Sequence, residues 1–287
     1  MQKNNKVVVT GGAGFIGSHL IKLLLKEYRV ISLDNYFIGT ESNHIADAKY
    51  VKGHTKDIES LLGKEQPAII FHLGEYSRVE QSFEDIASVW EMNVLGTFQV
   101  LEYWRKRKCK LVYAGSSTKF ADGGLGRDQS PYAWMKASNT ELLANYGGWF
   151  ALPYAITYFY NAYGEGELSE GPYASVLGKF KKQCAAGKPI TVVAPGTQLR
   201  NFTHVDDIAR GLLLVGEKGH GDEYGLGSPD SFSILNIAKM FGGKIEMLPE
   251  RKGNRMDSKV DTSRVEKEFG WKSEHTVREY IESIKKA

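Results

Sequence analysis

Cysteine is nearly absent: Cys109 and Cys184 are the two in 287 residues, and neither they nor the seven histidines show metal-ligand spacing. A disulfide framework and a structural metal are therefore not expected, and a reducing compartment fits. No apolar run approaches the roughly 20 residues that span a bilayer. The opening Met1–Lys6 carries no signal-peptide core, so the expectation is a soluble, cytoplasmic protein without a membrane partner. Charge of one sign is also scarce: 37 Lys+Arg against 34 Asp+Glu leave +3, too little to argue for nucleic acid. The dense basic run Arg105–Lys108 ends a helical pattern, where positive charge suits the helix dipole. Repeats, low-complexity tracts and linkers are missing too. What remains is an ordinary globular balance, 42% hydrophobic and 25% charged. It is long enough for one large domain or a main domain with a smaller companion.

The informative stretch is Val7–Thr10 followed by Gly11-Gly12-Ala13-Gly14-Phe15-Ile16-Gly17. A β-branched run stops at glycines, and a helical apolar pattern (Ile16, Leu20, Leu23, Leu24) resumes at once. Gly12, Gly14 and Gly17 satisfy G-x-G-x-x-G after a strand and before a helix, the context in which that pattern indicates a dinucleotide. The glycines permit a tight turn and close backbone approach to a pyrophosphate, and the helix start favours the anion. Asp34 ends the next apolar run about 20 residues later, where an acid can hold ribose hydroxyls and would repel a 2′-phosphate. The cofactor expected is NAD.

Apolar runs at Lys6–Thr10, Val30–Asp34, Tyr50–Lys52, Ala68–Leu73, Lys110–Gly115 and Ala155–Phe159 read as strands. Helical patterns at Gly14–Glu27, Ile58–Leu62, Ile86–Lys106 and Tyr132–Tyr146 alternate with them. This alternation predicts an α/β fold, a doubly wound parallel (Rossmann) sheet with ligands beyond the strand carboxyl ends. From about Gly164 the texture becomes glycine- and proline-rich, with helices expected at Ser175–Ala186, Val205–Glu217, Ile234–Phe241 and Val277–Ala287. The division expected is an NAD-binding domain over 1–164, rejoined by about 198–228, and a smaller mixed α/β substrate-binding region over 165–287.

At the end of the run Lys110–Gly115 come Ser116-Ser117-Thr118, and a short glycine-rich loop leads to Tyr132-Ala133-Trp134-Met135-Lys136. On a helix, positions i and i+4 share a face, so phenol and ammonium point into one space. A free tyrosine is a poor base at neutral pH, and a nearby ammonium favours the phenolate. A hydroxyl from Ser116, Ser117 or Thr118 can hold the reacting oxygen. Together they can move an alcohol proton while a nicotinamide takes the hydride from the same carbon.

These motifs resemble extended short-chain dehydrogenases/reductases, specifically NAD-dependent nucleotide-sugar epimerases and dehydratases, over nearly the whole chain. Asp57-Ile58 is similar to the family's adenine-side pair. Phe71-His72-Leu73-Gly74 resembles its cofactor-lining strand end, with Gly74 for an alanine. Asn93-Val94-Leu95-Gly96-Thr97 matches its central helix, and Arg200–Asp207 its Arg-Asp-Phe-x-His-Val-x-Asp segment, with Asn201 for the first aspartate. Asp261–Trp271 is similar to its closing stretch. The resemblance implies that Ser116, Tyr132 and Lys136 are catalytic. It implies a cofactor site of Gly11, Gly14, Phe15, Ile16, Gly17, Asp34, Asn35, Asp57, Ile58, Leu73, Gly74, Asn93, Tyr132 and Lys136. Asn161 matches a substrate-binding asparagine, and Arg200 and Arg251 match arginines that clamp a diphosphate, for which the guanidinium fork is suited. The partners implied are a nucleotide-diphosphate sugar and a second copy in a homodimer.

Departures from the pattern bear on the reaction. Ser117 and Thr118 stand where the family's 4,6-dehydratases carry Asp-Glu, which favours a 4-epimerase working through transient oxidation at carbon 4. Glu75 stands where a small residue is usual, as a surface acid, an acid/base or a sugar ligand. The stretch Ala121–Ser130 is short, and Tyr158 replaces a common arginine. These leave a 4-dehydrogenase or dehydratase as the neighbouring alternative, and a non-catalytic NAD-binding regulator as the alternative of another class.

Overall fold

The computed structural model describes residues 5–250 and 260–286. The strands in chain order are Lys6–Thr10 (β1), Arg29–Asp34 (β2), Lys49–Lys52 (β3), Ile69–His72 (β4), Lys110–Ser116 (β5), Tyr154–Phe159 (β6), Ala162–Tyr163 (β7), Ile190–Val193 (β8), Leu199–Asn201 (β9), Thr203–His204 (β10), Gly221–Leu226 (β11), Ser231–Ser233 (β12) and Ile245–Leu248 (β13). The α-helices are Phe15–Leu24 (α1), Ile58–Leu62 (α2), Ile86–Val89 (α3), Thr97–Arg107 (α4), Pro131–Phe150 (α5), Val176–Ala185 (α6), Val205–Lys218 (α7), Ile234–Phe241 (α8), Ser263–Phe269 (α9) and Val277–Lys286 (α10).

Seven strands form one parallel sheet in the order β11-β6-β5-β4-β1-β2-β3. The order runs outward from β1 in both directions, so the carboxyl ends of β1 and β4 flank a crevice of the kind that binds ligands in such sheets. Helices cover both faces, which is why β1, β2, β4 and β5 are apolar and buried almost throughout. On one face Leu20, Ile21 and Leu24 of α1 pack with Ile208, Leu212 and Val215 of α7. On the other, Val100, Leu101, Tyr103 and Trp104 of α4 pack with Leu143 and Tyr146 of α5. A separate core joins Leu177 and Phe180 of α6, Ile190 and Val192 of β8, Ile237 and Phe241 of α8, and Val277 and Ile281 of α10. Three two-stranded pairs, β10-β7, β12-β9 and β13-β8, complete the smaller part.

The helix expected over Ile86–Lys106 is one continuous run whose middle, Trp90–Gly96, is wound as a π-helix. The loop expected before Tyr132 is instead 3-10 turns over Ser117–Asp128, broken where Asp122, Gly123 and Gly124 adopt positive φ. The helix after it starts sharply. Ser130 Oγ accepts from the Ala133 amide at 3.1 Å, and Pro131 occupies the first turn. It runs four residues past Tyr146 because Gly147–Phe150 meet no stop until Ala151 turns left-handed. Among the described residues no helix is long and apolar enough to cross a membrane.

Candidate active site

The glycine turn between β1 and α1 leaves no room for a side chain at Gly11, Gly12 or Gly17. Gly11 has φ +74°, and a Cβ there would fall 2.8 Å from the Gly74 backbone. One on Gly17 would fall 2.2 Å from the Gly11 carbonyl oxygen. Gly14 caps α1 without any side-chain bond, so the positive end of the helix opens onto the crevice. Asp34, at the end of β2, accepts from the Ala13 amide at 2.9 Å and the Tyr36 amide at 2.8 Å. Burial pushes this carboxyl above its ordinary value, and the two amides oppose that shift. A bare backbone cradle at a helix start, with a buried acid beside it, fits the pyrophosphate and adenosine ribose of NAD.

The crevice encloses about 620 Å³. Of the residues expected to hold cofactor, Gly11, Gly14, Phe15, Ile16, Gly17, Asp34, Asn35, Leu73 and Gly74 line it. Ser116, Ser117, Thr118, Tyr132 and Lys136 line it as well, and so do Asn161 and Arg200 at the side of the smaller part. The hydroxyls of Ser116 and Thr118 lie 2.9 Å apart at the end of β5, while Tyr132 and Lys136 sit one turn apart on α5. Sheet order therefore brings phenol, ammonium and hydroxyls to one end of the crevice. Asn161, with φ 36°, donates from Nδ2 to the Asn201 carbonyl oxygen at 2.9 Å. Arg200 donates from Nη1 to the Leu199 carbonyl oxygen at 2.7 Å.

Glu75 is not a surface acid. Its carboxylate is buried and accepts from the Lys136 ammonium, whose other partner is the Ala114 carbonyl oxygen. Thr97 Oγ1 at 2.8 Å, Tyr113 Oη at 3.0 Å and Asn139 Nδ2 at 3.0 Å donate to its Oε1. The Tyr113 ring also lies under the ammonium, 4.3 Å from Nζ to centroid. Behind this cluster Thr10 Oγ1 lies 2.7 Å from His72 Nδ1, and His72 Nε2 lies 3.0 Å from Thr97 Oγ1. Full burial drives the His72 imidazole down to about 4, so it is neutral at physiological pH. Glu75 thus lines the crevice as a buried acid engaged by four donors, not as the surface acid that was one of its expected roles.

Three of the residues expected to hold cofactor are not among those lining the crevice. Asp57 is exposed and Ile58 is packed in the core, and neither lines the crevice. Asn93 is fully buried. Its Oδ1 accepts from the Tyr76 amide at 2.7 Å and its Nδ2 donates to the Tyr76 carbonyl oxygen at 3.1 Å, so it clamps the loop after β4. Arg251 lies outside the described residues.

Sequence reasoning missed a second group at the crevice. Arg78 lines the crevice and donates from Nε to the Tyr173 carbonyl oxygen at 2.8 Å. Tyr76 and Tyr173 both donate to Asp85 Oδ2 at 2.7 Å, and the Phe37 ring packs against both. The run Leu73–Arg78 at a strand carboxyl end was the available signal. An arginine among small and polar loop residues there points to the site, whereas the partner, Tyr173, lies 95 residues away.

A family model described as Epimerase, the NAD dependent epimerase/dehydratase family, matches residues 7–227. A dTDP-D-glucose 4,6-dehydratase of Dictyostelium discoideum is 30% identical over 82% of this chain, which spans 61% of that protein's length. A putative UDP-glucose 4-epimerase of Methanocaldococcus jannaschii is 29% identical, covering 97% of this chain and 96% of its own. The crystal structure of Thermus thermophilus UDP-glucose 4-epimerase in complex with NAD superposes with a TM-score of 0.88 at 26% identity, covering 96% of each chain.

Proposed function

The chain belongs to the NAD dependent epimerase/dehydratase family and takes NAD as its cofactor; from that premise we propose that it is a nucleotide-sugar 4-epimerase. The observation that carries this reading is which groups stand at the end of β5 and beside Lys136. Positions 117 and 118 are hydroxyls, and Glu75 is tied to Lys136. Loss of water calls for more acid–base machinery than transient oxidation at carbon 4 does. When bound, NAD supplies the oxidant. Tyr132 takes the proton of the 4-hydroxyl, Ser116 or Thr118 holds that oxygen, and Lys136 orients the nicotinamide ribose. Gly11, Gly14 and Gly17 with Asp34 hold the dinucleotide. Asn161 and Arg200 face the nucleotide sugar, with residues 1–164 and about 198–228 as the dinucleotide half and 165–287 as the substrate region.

The proposal includes a homodimer. Trp90, Leu95 and Phe98 on one helical run and Trp134, Trp149 and Phe150 on α5 are each about half exposed or more. Apolar side chains in this number on two adjacent helices suit burial against a second copy.

The test is incubation of the NAD-loaded protein with UDP-, dTDP-, GDP- and CDP-sugars, followed by NMR of the products and NADH absorbance. An epimerase gives a 4-epimer without accumulating NADH. Stoichiometric NADH with a keto-sugar would establish a dehydrogenase instead, and a keto-deoxy product a dehydratase. Tyr132→Phe is expected to lower turnover by at least about a hundredfold while NAD remains bound. Undiminished turnover in that variant defeats the assignment.

A further inference from the structure

Lys136 lines the crevice, yet its side chain and that of Glu75 are only 5% and 3% exposed. An ammonium has three N–H donors. Glu75 Oε2 and the Ala114 carbonyl oxygen take two of them, and the Tyr113 ring centroid lies 4.3 Å from Nζ. The carboxylate is itself held from three elements. Thr97 of α4, Tyr113 of β5 and Asn139 of α5 donate to its Oε1 at 2.8, 3.0 and 3.0 Å. Two of these donors are braced in turn. His72 Nε2 lies 3.0 Å from Thr97 Oγ1, and Asn139 Nδ2 also donates to the Asn93 carbonyl oxygen at 2.6 Å. A lysine on a flexible stem must otherwise be ordered by its ligand, at a cost to binding. Here folding has ordered it already.

We propose that Glu75 is a positioning residue for NAD: it fixes the Lys136 ammonium before the cofactor arrives and so keeps the remaining donor in place for the nicotinamide ribose. The inference rests on the reading of Lys136 as the residue that orients that ribose. A buried ion pair is by itself weak evidence for stability, because apolar residues of similar volume commonly serve as well. What such a pair can supply is one defined arrangement. With Oε1 taken by three neutral donors, Oε2 is the oxygen that meets the ammonium, and the lysine has a single seat.

The test is isothermal titration of the full chain, freed of nucleotide, with NAD and with AMP, which ends before the nicotinamide ribose. Circular dichroism checks the fold of each variant. Glu75→Gln keeps the side chain's size and removes its charge, and Glu75→Ala removes the acceptor altogether. Each should weaken NAD about three- to tenfold, the cost of ordering one long side chain, and leave AMP within about twofold. Lys136→Met should weaken NAD by more and again spare AMP. Adding Glu75→Gln to Lys136→Met should then change nothing further, since the carboxylate has no ammonium left to place. Unchanged or tighter NAD binding in both Glu75 variants, equal losses for NAD and AMP, or a full additional loss in the double variant overturns the proposal. Loss of fold in both Glu75 variants also overturns it, because the pair would then serve stability. The two readings fail separately. Parent-like NAD binding by Lys136→Met sinks the role of Lys136 itself, whereas a loss in Lys136→Met without one in the Glu75 variants sinks Glu75 alone.

Discussion

The Asp34 carboxylate at the end of β2 is tied by a 2.9 Å bond from the Ala13 amide to the glycine turn that follows β1. The acid that would hold ribose is thereby locked to the loop that would hold pyrophosphate, and the two parts of the cofactor site are built as one unit. Asp34→Ala removes both an acceptor for the ribose hydroxyls and the clamp on the turn. NAD affinity should fall at least about tenfold, in line with loss of a charge-assisted bond of about 1.5–3 kcal/mol. Isothermal titration with NAD and NADP checks it. Unchanged NAD affinity would remove Asp34 from the site, and NADP should gain relative to NAD.

Asn93 offers a prediction of a different kind, because it works on the loop rather than on the ligand. Asn93→Ala leaves the buried Tyr76 N–H and C=O without their partners, each costing about 1–3 kcal/mol. The unfolding free energy should drop by about 2–6 kcal/mol in urea titrations. A loss below half a kilocalorie would mean that water replaces the amide.

His72 sets a pH dependence of stability. Its pKa lies near 4 when folded against an ordinary 6.5, so between those values the unfolded chain binds a proton that the folded chain excludes. Stability therefore rises with pH across that window, and falling pH removes up to about 3 kcal/mol. In His72→Gln this slope is absent. Urea midpoints of the two proteins, compared from pH 7 down to pH 4, should converge as the pH falls. Parallel curves would refute the buried neutral imidazole.

The proposed dimer is tested on its exposed aromatic residues. Phe98→Glu combined with Trp134→Glu places charges on two half-exposed apolar positions. Each charge at the centre of an interface costs several kcal/mol. The dissociation constant should rise at least about a hundredfold by sedimentation velocity. A parent protein that sediments as a monomer would end the proposal outright.

Much of this protein is written locally. The glycine turn, Asp34 at the end of the second strand, the Tyr132/Lys136 spacing and the Ser116–Thr118 hydroxyls all come from residues near one another in the chain. So do the strand–helix alternation and the helix over Ile234–Phe241. Short-range sterics and hydrophobic period specify such features, and a reader of the sequence has access to both. The tertiary structure alone decided what Glu75, Arg78 and Asn93 do. Lys136 is 61 residues from Glu75 and Tyr173 is 95 residues from Arg78. Those pairs exist because β4 and β5 lie side by side in the sheet, and because the segment carrying Tyr173 folds back over the crevice. An acid in a sequence reads equally well as solvated or buried. Its charge acquires a meaning when packing removes water and supplies one particular cation.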